Sequence, residues 1–353
     1  MSLLITGASG FLGRRVLESL EGYPGLLYLV VRPASMAQAR RLYGDRKDVR
    51  LLAGDLRDFG VLTERDHIDE LASEVRGVLH MAASYDLRIG ASQNYLHNVV
   101  GTQNLLGLCD RLTSLETFVS TSTIAVAGDF RGIFHENMFN VGQGFPNPYA
   151  STKFRVEGLV GAWKTEVRKY VCRLGILVGD AATGRTDKID GPYYLLRSLK
   201  RHAPLWRALS VFGRTPLPFH PGAPLHIVPV DAVAAVLARI ARQPAFFEGR
   251  WRTYHLSGPA FPMAEFLERS FQELGHRTRL VPLPRGVVPP ALLPRLGIPA
   301  SLQHYLYSEA QFANHSLRED YPDLSLPLFG DYAEAFYRFV RSDEFDTIAG
   351  GGA

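Results

Sequence analysis

Two side chains in the middle of the chain, Tyr149 and Lys153, have types and a spacing that suit proton transfer. Residues four apart lie on one face of a helix, and the small and apolar residues through Val160 favour a helix here. Pro148 suits its first position, where a missing N–H costs no hydrogen bond. An ammonium beside a phenol lowers a phenol pKa that is normally about 10. We therefore predict that Tyr149 donates a proton near neutral pH, although such a pair alone also fits surface packing.

A glycine-rich stretch near the N-terminus has the context of a dinucleotide site. The apolar run Ser2–Thr6 predicts a strand, three glycines follow at intervals of three residues, and a helical pattern begins at Arg14. Glycines let the backbone approach a pyrophosphate, and the N-terminus of the following helix attracts negative charge. We therefore predict a dinucleotide-binding turn over residues 7–13.

The end of the second predicted strand, Leu26–Val31, carries Arg32 rather than an acidic residue. An acid at this point would hold the ribose 2′-hydroxyl of NAD, whereas a guanidinium offers a fork for the 2′-phosphate of NADP. Arg14 and Arg15, just past the glycines, are placed to assist. We predict NADP(H) as the cofactor, and the alternative for Arg32 is a plain surface charge.

The fifth predicted strand, Glu116–Thr123, ends in four consecutive hydroxyl residues. By themselves, hydroxyls at a strand end fit a simple turn.

The composition excludes several classes of protein. The 353 residues are 46% hydrophobic and 21% charged, which suits a sizeable core and excludes a disordered chain. The net charge of +4 does not indicate nucleic-acid binding, and no apolar run is long enough to span a bilayer. Two cysteines, Cys109 and Cys172, cannot form a disulfide framework or a zinc site alone. We expect a cytoplasmic protein without a metal.

Basic residues are dense in one later stretch. Arg197, Lys200, Arg201, Arg207 and Arg214 lie within a short distance in sequence. They fit a solvated face, or a site for an anionic group such as a nucleotide or pantetheine phosphate.

Together these features resemble the extended short-chain dehydrogenase/reductase family. The resemblance rests on the Gly-x-x-Gly-x-x-Gly turn after Thr6 and on the order of glycine turn, charged strand end, hydroxyl run and Tyr/Lys helix. It implies an α/β fold: a Rossmann-type doubly wound parallel sheet with a smaller, mixed C-terminal substrate lobe. We expect an NADP-binding domain over residues 1–180 and a lobe over 181–347. We further expect 220–260 to return to the sheet and 348–353 to be disordered.

The resemblance also assigns functional residues. It implies that Thr123, with Ser122 as the alternative, acts beside Tyr149 and Lys153 as the third catalytic residue. Leu174 stands where the family usually has proline. The implied cofactor-binding residues are Gly7, Ser9, Gly10, Phe11, Leu12, Gly13, Arg14, Arg32, Asp55, Leu56, Ala82, Ala83, Asn98, Thr121, Tyr149, Lys153, Gly175, Ile176 and Leu177.

A finer resemblance is to the thioester-reductase and fatty-acyl-CoA-reductase branch, of the NAD-binding, male-sterility type. It is carried by residues 11–13 with 29–32, by residues 122–126, and by residues 179–180, 183–184, 190–194 and 228–231. It implies NADPH-dependent reduction of an acyl thioester to an aldehyde, or on to an alcohol. The alternatives are an aldehyde or ketone reductase of the hydroxysteroid-dehydrogenase or dihydroflavonol-reductase kind, a redox-sensing NADPH-binding protein, and a sugar-nucleotide epimerase, against which Arg32 argues.

The implied partner is a small-molecule acyl or carbonyl substrate, presented on coenzyme A or a carrier protein. We expect no nucleic acid, at most peripheral membrane contact through the Pro- and Leu-rich region 280–302, and a monomer or homodimer. Because the chain starts at the glycine-turn strand, we expect neither a cleaved signal nor an adenylation or carrier domain in cis.

Overall fold

The computed structural model describes residues 2–62, 67–84, 90–210, 213–289 and 291–350. Its centre is a seven-stranded, all-parallel sheet. The strands of the chain are β1 Ser2–Thr6, β2 Leu27–Val31, β3 Val49–Ala53, β4 Val75–His80, β5 Thr117–Thr123, β6 Gly132–Phe134, β7 Arg168–Leu174, β8 Ile176–Val178, β9 Arg214–Pro218, β10 Pro224–Leu225, β11 Ile227–Pro229, β12 Trp251–Leu256, β13 Phe261–Pro262, β14 Arg279–Leu283 and β15 Ala310–Phe312. The order in the sheet is β3-β2-β1-β4-β5-β7-β12, which is the doubly wound arrangement that the sequence predicted.

The helices of the chain cover both faces of this sheet and build much of the C-terminal half. They are α1 Phe11–Ser19, α2 Met36–Tyr43, α3 Ile68–Glu74, α4 Ala91–Asn94, α5 Gly101–Cys109, α6 Pro148–Ala162, α7 Tyr193–Arg201, α8 Ala203–Leu209, α9 Val230–Arg242, α10 Met263–Glu273, α11 His315–Asp320, α12 Phe329–Arg341 and α13 Asp343–Gly350. A π-helical segment, Tyr95–Val100, joins α4 to α5, and short 3₁₀ turns cover Pro33–Ser35, Ile124–Ala127, Leu293–Leu296 and Ala300–Tyr307.

Alternating side chains of the strands build two cores. On β1, Leu3 and Ile5 pack with α1, α2 and α9 on one face, whereas Leu4 packs with α3 and α5 on the other. Strands buried on both faces read as continuous apolar runs, which is why β1 and β2 were recognisable in the sequence.

A third core lies in the C-terminal half. It joins aromatic and aliphatic residues of α7, α8, α10, α12 and α13. The boundary between this C-terminal half and the Rossmann half does not fall at one point in the sequence. Strand β12 lies within the predicted 220–260 return and pairs with β7, and α11 packs against β12.

From the sequence alone we predict a sixth strand over Lys169–Val178, and this prediction is wrong as a single element. The chain breaks at Gly175, and β8 leaves the main sheet to pair with β11. A Cβ at Gly175 would lie 2.8 Å from the Ser257 backbone and 2.9 Å from the His226 carbonyl oxygen. These tertiary contacts, which no local pattern reveals, turn the chain at this residue.

The predicted disorder from residue 348 is also wrong for 348–350, which end α13. Ile348 and Ala349 pack against the C-terminal core, so burial orders this segment. Residues 351–353 lie outside the described residues.

A buried ion pair fixes α6 to the sheet. Arg173 on β7 donates to Glu157 on α6 at 2.8 Å, and each side chain is 1% exposed. The Ser122 hydroxyl also donates to Glu157, at 2.5 Å, while Arg173 donates to the Met138 carbonyl oxygen. Because these hydrogen bonds satisfy both buried charges, the pair sets the position of α6 against β5 and β7.

Candidate active site

Helix α6 begins where the sequence predicted, and its cap aims Tyr149 and Lys153. The Asn147 side chain accepts a hydrogen bond from the Ala150 N–H at 2.9 Å, and Pro148 takes the first helical position. Such a cap and a proline at this position are typical of helix starts. Tyr149, Lys153 and the buried Glu157 therefore follow one another along the same face of α6.

The Thr123 hydroxyl contacts the Tyr149 phenol. This contact lowers the pKa of Tyr149, but burial acts in the opposite direction and is the larger effect, so the pKa of Tyr149 is raised above its ordinary value. Our prediction of a lowered pKa is wrong in direction for the net shift, although a nearby ammonium still favours the phenolate. The burial of the phenol, which the sequence does not reveal, decides the shift, and it keeps Tyr149 protonated at neutral pH, as a proton donor requires.

The hydroxyl run at the end of β5 divides between two faces of the strand. Thr123 contacts Tyr149 and accepts from the Ala125 N–H at 3.2 Å, whereas Ser122 points its hydroxyl at Glu157. Successive strand side chains alternate in direction, so one of the two hydroxyls is directed at the phenol. This geometry favours Thr123 over Ser122 as the residue beside the reacting group.

Lys153 is buried beneath Tyr149. Its Nζ donates to the Thr121 carbonyl oxygen at 2.6 Å. Burial lowers the pKa of Lys153 to about 8, and the negative charge of Glu157 partly opposes this shift. The charge on Lys153 therefore changes within a pH range in which enzyme kinetics can be measured.

Asn98 lies in the π-helical segment and supports α6 from the side. It donates to the Thr152 hydroxyl at 3.1 Å and to the Ser84 carbonyl oxygen at 2.8 Å, and it accepts from the Ser84 N–H. These contacts use its amide inside the protein. Asn98 thus links the segment that follows β4 to α6 and helps to position that helix.

The glycine turn is held tightly against the end of β4. Gly7 has a φ of +78°, and a Cβ there would lie 2.6 Å from the Ala82 nitrogen. The Tyr43 hydroxyl donates to the Ala8 carbonyl oxygen and fixes the turn from the α2 side. The first N–H groups of α1 precede its first internal bond, from Arg14 N to the Gly10 oxygen, and so are available to a phosphate. These residues fit a dinucleotide pyrophosphate.

Two residues predicted to touch the cofactor are engaged elsewhere. The guanidinium of Arg14 forms an ion pair with Asp187 of the C-terminal lobe. Asp55 is bonded to Arg57, whose guanidinium lies 2.6 Å away and holds the pKa of Asp55 below its usual value. Arg32, by contrast, is exposed at the end of β2.

A cavity of about 660 Å³ joins these elements. The predicted residues that line it are Gly7, Gly10, Phe11, Leu12, Gly13, Ala83, Thr121, Thr123, Tyr149, Lys153, Gly175, Ile176 and Leu177. Ser9, Arg14, Arg32, Asp55, Leu56, Ala82 and Asn98 do not line it. Beyond Tyr149 its walls are formed by α8, β9, α10 and the region 283–312, and most of those residues are aliphatic.

Two lining residues were missed in the sequence. Tyr305 accepts from the Asn147 side chain at 2.9 Å and acts electrostatically on Tyr149, raising its pKa. Asp190 is the one carboxylate among the described lining residues, and burial raises its pKa to about 7. Tyr305 lies in an irregular region without a periodic signal, and Asp190 follows a polar loop, so neither position stood out.

Within the described ranges, no group of three or more His, Cys, Asp or Glu side chains is arranged to hold a metal ion. The helices in the same ranges are all too short or too polar to cross a membrane.

Comparison with known proteins identifies the family. A family profile described as male sterility protein, an NAD-binding family, matches residues 5–237. A dTDP-glucose 4,6-dehydratase of Mycobacterium tuberculosis (strain ATCC 25618 / H37Rv) is 28% identical over 231 residues, 63% of this chain and 63% of that protein. Fatty acyl-CoA reductase 2 of Mus musculus is 31% identical over 144 residues, 35% of this chain and 28% of that protein. The chain therefore matches less than two thirds of the length of these relatives.

Among solved structures, the terminal R domain from the myxalamid PKS-NRPS biosynthetic pathway superposes with a TM-score of 0.73. It is 20% identical and covers 96% of this chain and 90% of that one, which establishes a shared fold. With the family profile spanning well over half of its length, the chain belongs to the male sterility protein family of NAD-binding proteins. The predicted membership of the extended short-chain dehydrogenase/reductases, a class of NAD(P)-dependent oxidoreductases, is thereby confirmed.

The two hydroxyls at the end of β5 should separate in function. Thr123→Val removes the hydroxyl that contacts the phenol and should lower kcat by roughly 10² to 10³, as loss of an oxyanion-stabilising donor does. Ser122→Ala should leave kcat within a few-fold but lower the free energy of unfolding by roughly 1.5–3 kcal/mol, because Glu157 loses a donor. Steady-state kinetics give kcat for both variants, and urea denaturation gives their free energies of unfolding. A large loss of kcat in Ser122→Ala with little change in Thr123→Val would assign the catalytic role to Ser122.

The pKa of Lys153 sets an expected pH dependence. Below pH 8 its ammonium is charged and favours the negative charge that grows on Tyr149 as the proton leaves, and above pH 8 that charge is lost. We therefore expect kcat/KM for reduction to fall as the pH rises through about 8. Lys153→Met should be slower and flat over the same range. A wild-type profile that is level to pH 9.5 would contradict this assignment.

Proposed function

We propose that the protein is an NADPH-dependent reductase that converts an acyl thioester to an aldehyde, and that can carry the aldehyde on to the alcohol. The observation that carries the proposal is the contact between Thr123 and Tyr149, which lies where the glycine turn meets a largely apolar cavity. Similarity to a fatty acyl-CoA reductase and to a terminal R domain supports the same reading.

The electrostatics at the ends of β2 and β3 favour the phosphorylated dinucleotide. Arg32 and Arg57 both act electrostatically on Asp55 and on His97, so these four side chains form one cluster. Arg57 neutralises the acid of this cluster, which leaves the exposed Arg32 to attract a 2′-phosphate.

The residues of the cavity can carry out the reduction of a carbonyl carbon. When bound, the nicotinamide supplies a hydride. Thr123 and Tyr149 hold the carbonyl oxygen, and Tyr149 gives it a proton as negative charge grows there. Lys153 stabilises the resulting phenolate. With a thioester substrate, the protonated product is a hemithioacetal, whose C–S bond breaks to release an aldehyde and a thiol.

The character of the cavity argues for an acyl group over the alternatives. A sugar nucleotide needs polar partners for its hydroxyl groups, yet beyond Tyr149 the described walls are mostly aliphatic and hold one carboxylate, Asp190. This weighs against an epimerase or dehydratase, although a dehydratase is among the relatives. The aldehyde or ketone reductase remains the second candidate, since it would use the same Tyr149 and Lys153 on a free carbonyl.

Removing the phenol hydroxyl tests the proposed proton transfer. Tyr149→Phe should lower turnover of a long-chain acyl-CoA by at least roughly 10², because it deletes the acid, while NADPH binds with nearly unchanged affinity. Tyr170→Phe is the matched control, because its hydroxyl bonds the Ala245 carbonyl oxygen and does not line the cavity. Steady-state turnover and fluorescence titration of NADPH give the two readouts. Full activity in Tyr149→Phe would contradict the proposed proton transfer from Tyr149.

Cofactor choice depends on Arg32 in this account. Arg32→Ala should raise the KM for NADPH roughly ten- to hundredfold, the effect of one charge-assisted hydrogen bond, and leave the KM for NADH little changed. Arg76→Ala is the control, since Arg76 lies at the start of β4, away from the strand ends that carry Arg32, and pairs with Glu116. Equal effects on both cofactors, or none on either, would show that Arg32 does not hold the 2′-phosphate.

A further inference from the structure

Two stretches of the C-terminal half contain no acidic residue. Residues 191–230 and 274–308 hold nine arginines and lysines and not one aspartate or glutamate. Because the net charge of the whole chain is +4, the remaining residues are net negative. Positive charge is thus concentrated in the two stretches that build much of the C-terminal lobe.

The fold brings arginines of both stretches together on one exposed surface. Strands β9 and β14 pair in parallel, and Arg214 lies opposite Arg279 in their register. Both are exposed, as is Arg207 on α8. None of the three forms an ion pair with a carboxylate in the parts of the chain that the structure describes. Like charges held side by side repel one another, so this surface favours an anionic partner.

Large aliphatic side chains are exposed on the same elements. Leu205 and Leu209 of α8 are 44% and 41% exposed, and Leu292 is 44% exposed. Val281 of β14 and Val287, which follows it, are also exposed. Leu209 and Leu292 line the large cavity as well, so the cavity reaches the surface between them. We call α8, β9, β14 and residues 284–289 and 291–296 the basic face.

We propose that the basic face docks on an anionic lipid bilayer, so that an acyl chain passes from the membrane into the cavity without crossing water. Arginines around exposed leucines are the composition of a segment that lies at a membrane interface. Surfaces that bind proteins are enriched in aromatic residues, whereas the exposed large apolar side chains of the basic face are leucine and valine. The docking depends on this surface and not on the reaction proposed above, so it can be tested separately.

Vesicle flotation of the full-length protein tests the proposal directly. We expect binding to phosphatidylcholine vesicles that contain 30% phosphatidylglycerol and little binding to pure phosphatidylcholine, with the anionic binding weakened by added NaCl. The triple variant R207Q/R214Q/R279Q should bind about 100-fold more weakly, since each arginine near an anionic surface contributes roughly fivefold. The control R41Q/R111Q/R318Q makes the same charge change at exposed arginines outside the basic face and should bind like the wild type.

The apolar contribution has its own pair of variants. L205E/V287E places charge at exposed positions that do not line the cavity, and it should reduce binding even to anionic vesicles. Phe59→Glu is the control, because Phe59 is 92% exposed and lies after β3 in the Rossmann half. NADPH affinity and thermal melting of each variant show that the fold is intact.

Three results would overturn the proposal. The first is that the wild-type protein floats with neither vesicle. The second is that control and basic-face variants lose binding equally. The third is that an acidic acyl carrier protein binds with the same arginine dependence while vesicles do not, which would assign the basic face to a protein partner.

Discussion

The position of helix α6 is the constraint on which the candidate site depends. Tyr149, Lys153 and Glu157 are spaced four residues apart on one face, and each meets a different part of β5 or β7. Glu157 is fixed to Arg173, Lys153 to the Thr121 carbonyl oxygen and Tyr149 to Thr123. A shift of α6 along its axis would break all three contacts at once. The buried ion pair therefore holds the Tyr149 phenol in place at the wall of the cavity.

The same burial that fixes these residues also sets their protonation. Removing Tyr149 and Lys153 from water favours the neutral form of each, which raises the pKa of the phenol and lowers that of the amine. The two shifts move the pKa values of the two groups apart, so that Tyr149 stays protonated while Lys153 loses its charge more readily than it does in water. In the proposed mechanism the proton leaves Tyr149 only when negative charge develops on a substrate oxygen, with Thr123 and the charged form of Lys153 available to stabilise the phenolate.

Much of the nucleotide-binding half could be predicted because its signals are local. The strand bounds Ser2–Thr6 were predicted without error, and Pro148 marked the start of α6. The rest depends on contacts between distant segments. The break at Gly175 arises from Ser257 and His226, the order of residues 348–350 from the C-terminal core, and the raised pKa of Tyr149 from its burial.

The C-terminal lobe was the least predictable part for the same reason. Its cavity is assembled from α8, β9, α10 and the region 283–312, which are separated by long stretches of sequence. Proline- and leucine-rich composition indicated apolar character but not that these residues would surround a cavity that reaches Tyr149. Tyr305 contacts the cap residue Asn147 across 158 positions of the chain, a relation that no spacing rule exposes.

The central claim, reduction of an acyl thioester, is tested most directly by measuring free thiol and NADPH together. Purified protein would be given a long-chain acyl-CoA, with the matching aldehyde and a panel of ketones assayed in parallel. The account predicts one free thiol for each NADPH consumed if the product is the aldehyde, and one thiol for every two NADPH if it is the alcohol. Turnover of aldehydes or ketones without thiol release from the acyl-CoA would contradict it and establish a carbonyl reductase instead.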